Sequence, residues 1–390
     1  MGLLCALLLG RQGLPVRLFD VNDTLQADPR AATTHPATLD LLANDGLADD
    51  MARVGLVAPI FQFWDRPSRA KVAEFDHAVL KDDTDHPFVV QCEQFKTAKL
   101  ILERLRKLDN VEVFFGHEVV DVTQSGGSVS VEVRGPGGIE KHTGAYVIGA
   151  DGGRSVVRKQ SDIAFDGFTW PERFIVLTTP FDFAAALGLC PRSYFADPDE
   201  WCNCFKVSAD GPPGLWRTVY PANTDQPEAE LLSDAAVQAR MQKFFPAAKP
   251  YEIIHRNLYV THQRVAATFR KGRVLLAGDS AHVNNPIGGM GMNGGIHDGI
   301  NLADKLARVM KGEATEELLD LYSRQRHHAA VKYVQAQTIA NKKMMEERDP
   351  AVRARNFDEL RRVADDPVTA KAYMRRAALY DSLRDANAVT

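Results

Sequence analysis

At 390 residues, 45% apolar and 25% charged, the chain has an ordinary globular composition, with room for two domains or one large α/β domain carrying an inserted lobe. A formal net charge of −4 gives no long-range attraction to nucleic acid or an anionic membrane, so a small molecule is the expected partner. The five cysteines, Cys5, Cys92, Cys190, Cys202 and Cys204, are odd in number and lack zinc-knuckle spacing. Neither a disulfide framework nor a metal site is expected, and a reducing cytoplasm fits.

The apolar opening, Leu3 to Leu9, is too short to span a bilayer and lacks the basic start of a signal peptide. Residues 2 to 12 read as a helix, stopped by Gly13 before a strand from Pro15 to Asp20. Further helices are expected over Pro36 to Val54 and Glu93 to Leu108. Between Val111 and Ile148 the pattern turns to period two, with Gly126-Gly127 and Gly135 to Gly138 as the turns of a small antiparallel meander. From Phe165 to Val265 short aromatic-rich strands suggest an inserted, mainly β lobe, and helical character returns after Gly291 and continues to the end.

Three segments carry chemistry. Asp20 ends a strand eighteen residues after Gly2, with a helix between them. That is the second half of a dinucleotide-binding unit, where an acid about 20 residues past the glycine turn holds a ribose. A surface acid at a strand end is the plain alternative. Tyr146 to Ser155 is an apolar strand running into the turn Asp151-Gly152-Gly153-Arg154, whose charges can pair with each other or bind polar cofactor groups. The densest segment, Gly272 to Asn293, delivers Asp279 from a buried strand and then crowds Gly288, Gly289, Gly291, Gly294 and Gly295 behind Pro286 at a helix start. So many glycines are costly unless backbone must approach a ligand.

Together and in this order, the segments resemble the aromatic-hydroxylase branch of FAD-dependent monooxygenases, typified by para-hydroxybenzoate and hydroxyphenylpropionate hydroxylases. The resemblance covers almost the whole chain. It implies an α/β fold: a Rossmann-like parallel sheet with a small meander, an inserted mainly β substrate lobe and C-terminal helices. Residues 1–164 and 266–340 would bind FAD, 165–265 would form the lobe, and 341–390 a helical end segment. The resemblance places Asp20 on the adenosine ribose, Arg30 on the cofactor, Gln91 near the flavin and Val120 near the adenine. It puts Asp151, Gly152 and Arg154 beside FAD and the nicotinamide donor, Gly278 and Asp279 at the ribityl chain, and Pro286, Gly288, Gly289, Gly291, Met292 and Asn293 against the isoalloxazine. Gly2 would be the third glycine of the fingerprint, and roughly 10–15 residues are expected upstream, one strand and a Gly-rich turn.

The implied activity is hydroxylation of a phenolic ring: NADH or NADPH reduces FAD, and a C4a-hydroperoxyflavin then passes oxygen to the ring. A small aromatic substrate and O2 are the expected partners, without nucleic acid or an integral membrane; a homodimer is compatible. Tyr194, Trp216 and Tyr220 are expected to line the substrate pocket, while His282, His297 and Arg217 are further polar candidates to which the sequence assigns no catalytic role. Two rivals remain at this stage: a flavin oxidoreductase of the same fold acting on a hydrophobic substrate without oxygen insertion, and a non-catalytic remnant.

Overall fold

The computed structural model describes residues 1–27 and 31–390. The opening helix Gly2–Arg11 buries Leu4, Leu7 and Leu9 and packs on the long helix Met290–Met310. Gly299 makes the close approach possible, since a Cβ there would stand 3.3 Å from Cys5 Sγ. The helix stops at Gly13, which adopts φ +82°, and the chain turns into the strand Val16–Asp20. The stretch expected as one helix over Pro36 to Val54 is two, Pro36–Ala43 and Leu47–Val54, because Gly46 takes a left-handed φ of +65° between them.

Val16–Asp20 pairs in parallel with Val111–Phe115, and Val147–Gly149 pairs in parallel with Val274–Leu276. Among the described residues these two parallel pairs belong to separate sheets. The meander is narrower than the period-two stretch that announced it. It consists of Glu118–Ser125, Ser128–Gly135 and Gly138–Gly144, while the flanking strands leave it to make the parallel pairs.

The rest of the chain is organised around an eight-stranded sheet. Its order runs from His282–Val283 through His255–Ala266, Phe165–Thr179, Leu215–Asn223, Cys202–Val207 and Arg192–Ala196 to Ile60–Asp65 and Ala70–Asp76. The last two strands lie far from the 165–265 segment in sequence. Period two does not reveal the first of them, since Phe61, Gln62 and Phe63 are all buried. Alternation sorts the other strands into two faces. Phe174, Val176, Tyr194 and Val219 pack with Phe357 and Leu360 of the C-terminal helices, whereas Ile175, Leu177, Trp216 and Tyr220 pack with Val237, Met241 and Phe244 beneath helix Asp234–Phe244.

The C-terminal region is helical, as expected. Glu317–Ala329 continues through a π-helical turn, Ala330–Gln335, into Ala336–Met345. Two Asp-Pro pairs start the next helices: the Asp349 side chain accepts from the Ala351 and Val352 amides ahead of Pro350–Asp365, and Asp366 does the same for Pro367–Ala377. All five cysteines are free thiols, and no helix among the described residues is long and apolar enough to cross a membrane.

Candidate active site

Three glycine turns and one cavity make up the candidate site. The first turn, Gly278–Ser280, leaves the strand Val274–Leu276 with Gly278 at φ +66°. Its position is fixed from below. The Gly278 amide donates to Asp298 Oδ2 at 3.0 Å, His282 Nε2 lies 2.8 Å from the same oxygen, and Arg326 Nε donates to Asp298 Oδ1 at 2.7 Å. Burial alone would raise the Asp298 carboxyl, but the charges and hydrogen bonds of His282 and Arg326 outweigh it and hold the group below its ordinary value. Asp279 stands exposed at the tip of the turn.

In the neighbouring Asp151 turn the expected pairing of Asp151 with Arg154 does not form among the described residues. Asp151 accepts from Ser155 Oγ and, at 3.0 Å, from the Val157 amide, so it caps the short helix Val156–Gln160. Arg154 is exposed. The cation that secures this region is Arg158, buried, donating to the carbonyls of Gly153 and Ser280 at 2.8 Å each and lying 3.7 Å over the Phe165 ring. It ties the Gly152 turn to the Gly278 turn. Around Gly152, at φ +80°, the space a Cβ would take is open.

The third turn runs from Pro286 into helix Met290–Met310, with Gly288 at φ +99° and Gly289 at +69°. Asn293 staples it. Its Nδ2 donates to the carbonyls of Thr33 and Gly289 at 2.8 and 2.6 Å, and its Oδ1 accepts from the His35 amide at 2.9 Å. Thr33 in turn donates from Oγ1 to Gln91 Oε1 at 2.9 Å, which leaves Gln91 Nε2 buried without a hydrogen-bond partner. Gly291 and Met292 open the helix, where a Cβ on Gly291 would press on Asn284 at 3.0 Å. Gly2 lies between Leu18 and Ala150, bridging the two parallel pairs. Asp20 ends its strand accepting from the Asn22 amide at 2.9 Å, and Val120 sits at a bulge between Val119 and Asp121. Arg30 lies outside the described residues.

The arrangement fits a flavin dinucleotide. Gln91 offers an unused buried donor, which has a reason to exist if a cofactor carbonyl accepts from it. The left-handed glycines at 152, 278, 288 and 289 keep backbone accessible where side chains would block it.

The cavity opens beside the third turn, between Ile287, Gly288 and the sheet face that carries Phe61, Phe63 and Tyr194. Tyr194 therefore lies where a pocket residue was expected. Trp216 and Tyr220 do not: both are fully buried on the opposite face of the sheet, with the Tyr220 hydroxyl 3.6 Å from Met241 Sδ. His297 meets Thr38 Oγ1 at 2.9 Å and, like His282, is an interior packing residue. Arg217 lies 3.8 Å from Glu93 Oε1. Sequence reasoning missed the other polar residues that reach the cavity, namely His35, His77, Arg192, Gln337, Asn341 and Tyr373, the last supplied by helix Pro367–Ala377.

A split parallel unit with glycine turns at its strand ends, joined to a broad sheet that walls an aromatic cavity, is a frame that can hold a flavin dinucleotide beside an aromatic ring. Residues 1–337 match the FAD binding domain family, and the chain belongs to it. It is 33% identical over 381 residues to para-nitrophenol 4-monooxygenase of Pseudomonas sp. strain WBC-3, covering 96% of this chain and 92% of that protein. It is 32% identical to 6-hydroxy-3-succinoylpyridine 3-monooxygenase of Pseudomonas putida S16, covering 87% and 85% respectively. The crystal structure of p-nitrophenol 4-monooxygenase from Pseudomonas putida DLL-E4 superposes with a TM-score of 0.91 at 34% identity, over 98% of this chain and 95% of that one. The protein is an FAD-dependent aromatic monooxygenase.

Proposed function

We propose that the chain hydroxylates a small phenol held in the cavity beside the Ile287–Gly289 turn, with NADH or NADPH as electron donor. The carrying observation is the position of the cavity, one wall of which is the turn stapled by Asn293 and His35. The relatives named for nitrophenol and hydroxypyridine oxidation support a ring of that size and polarity. Bound FAD, once reduced, supplies the oxygen-activating chemistry.

The protein's part is positioning. Gln91, Asp20, Asp279 and the turns at Asp151-Gly152-Arg154 and Pro286 to Asn293 hold the cofactor, with the backbone at Gly2 and Val120 on its adenosine side. Phe61 and Tyr194, set edge to face with ring centroids 6.1 Å apart, supply the aromatic wall of the pocket. Met344, Met345 and Tyr373 cover it from the C-terminal helices and exclude water. We place the enzyme in the cytoplasm, in keeping with its free thiols.

Purified protein should be yellow and should oxidise NAD(P)H with O2 faster when a phenol is added, releasing a hydroxylated ring. Electron transfer to a hydrophobic substrate without oxygen incorporation would favour the oxidoreductase reading instead. Protein that takes up no FAD would favour the remnant.

A further inference from the structure

Arg192 is only 4% exposed, yet among the described residues no carboxylate forms an ion pair with it, and Glu74, the acid that also acts on the adjoining Cys190, is engaged with Gln62 and Lys71. Its Nη2 donates to Tyr194 Oη at 3.2 Å, and its guanidinium lies 5.3 Å from the Phe61 ring centroid. Nε and Nη1 are buried and have no hydrogen-bond partner. A guanidinium does not give up its charge, and a buried cation with idle donors is strongly unfavourable unless an anion completes it.

The titratable groups around it are His35, His77, Cys190, Tyr194 and Tyr373. His77 Nδ1 lies 2.6 Å from the Pro59 carbonyl, which can only accept, so Nδ1 carries the proton. His35 Nε2 donates likewise to the Gly288 carbonyl at 2.9 Å, leaving Nδ1 buried and unpartnered. Burial, and after it the charge of Arg192, holds both imidazoles down to about 3, so neither competes for the guanidinium as a cation. Burial pushes the Tyr373 hydroxyl up to about 12 and raises the Cys190 thiol, so neither supplies the negative charge. The two idle donors of Arg192 are therefore available to an anionic oxygen brought by the ligand.

We propose that Arg192 is the counter-cation of the substrate, and that the cavity takes phenols as phenolates whose single ionised oxygen accepts from the guanidinium. This inference rests on the phenol-hydroxylase reading above. Balance is simple: the phenol proton goes to solvent on binding, and the ring enters the reaction already electron-rich.

4-Nitrophenol tests this directly, because its ionised and neutral forms absorb at different wavelengths. Difference spectra of FAD-loaded protein below the ligand's solution pKa should show the bound ligand ionised, its apparent pKa lowered by about one unit or more. Arg192→Met should abolish that shift and weaken phenolate binding about tenfold or more, while Arg192→Lys should keep part of both. FAD content per protein should be unchanged in both variants, which separates ligand recognition from folding. Equal affinity and equal ligand pKa in wild type and Arg192→Met would overturn the proposal. So would tighter, Arg192-dependent binding of benzoate, which has no ring hydroxyl. Phenol turnover that ignores Arg192 sinks this inference alone, whereas a phenolate band without any ring hydroxylation sinks the proposed reaction and leaves the binding assignment standing.

Discussion

The Arg326 guanidinium donates to the Asp298 carboxylate at 2.7 Å, both groups sealed from solvent, and the other oxygen of that carboxylate holds the amide of Gly278. The ion pair is thus the foundation of the Gly278-Asp279 turn. Asp298→Asn leaves Arg326 buried without its counter-charge and is expected to cost about 3–5 kcal/mol. Denaturant unfolding of the FAD-free protein measures it, and a loss below about 1 kcal/mol would remove the pair from this role.

Asp279→Ala is expected to lower FAD affinity about tenfold or more, since a charge-assisted hydrogen bond to a cofactor hydroxyl is worth about 1.5–3 kcal/mol. Absorbance of bound flavin per protein, taken across a dilution series, reads the effect. Identical occupancy in the variant and the wild type would show that the exposed acid does not touch the cofactor.

Tyr194→Phe removes the acceptor of Arg192 Nη2 and should change which phenols stimulate NAD(P)H oxidation, with FAD retained. Trp216→Ala and Tyr220→Phe should leave that substrate profile alone, because both side chains pack beneath helix Asp234–Phe244. Their effect is on stability, about 3–5 kcal/mol for the Trp216 truncation and less for Tyr220. A changed profile in either of these two variants would place the ring on the wrong face of the sheet.

Acid should destabilise the protein well above the carboxylate range. His35, His77 and His297 are driven by burial to about 3 in the folded state, while an unfolded chain protonates each near 6.5. The unfolded state therefore binds more protons between those values, and stability is full above pH 6.5 and declines as pH falls toward about 3. Asp298 adds a second, lower window: its folded value is depressed, so its contribution is complete above 3.8 and disappears as pH drops through the folded value. His297→Gln should flatten the upper window by one proton, about 1.4 kcal/mol per pH unit. An unchanged slope in urea titrations between pH 6 and 4 would mean that this imidazole titrates normally.

What the sequence revealed is what local backbone chemistry writes into it. The glycine turns and the acid at the end of a strand are each set by a few adjacent residues. The cavity is different, since it joins His35, His77, Arg192 and Tyr373 from four separated stretches. One signal was available: in a strand, Arg192 must share the face of Tyr194 two residues on. Period two also puts Trp216 and Tyr220 on a common face, but it is silent on which face borders the cavity. Asp298 and Arg326 were hidden inside helices whose pattern reads as ordinary amphipathic surface.

The stitching of the eight-stranded sheet bears on how this enzyme can be re-engineered. Ile60–Asp65 runs beside Arg192–Ala196, and His282–Val283 beside His255–Ala266, so cuts at residues 165 and 265 sever hydrogen-bonded ladders on both sides. Residues 165–265 are therefore not a cassette to be exchanged between relatives. A transplant of ring preference has to carry the hairpin at 60–76 and the helices from 350 to 377 together with the central strands, or else proceed one side chain at a time within the native frame.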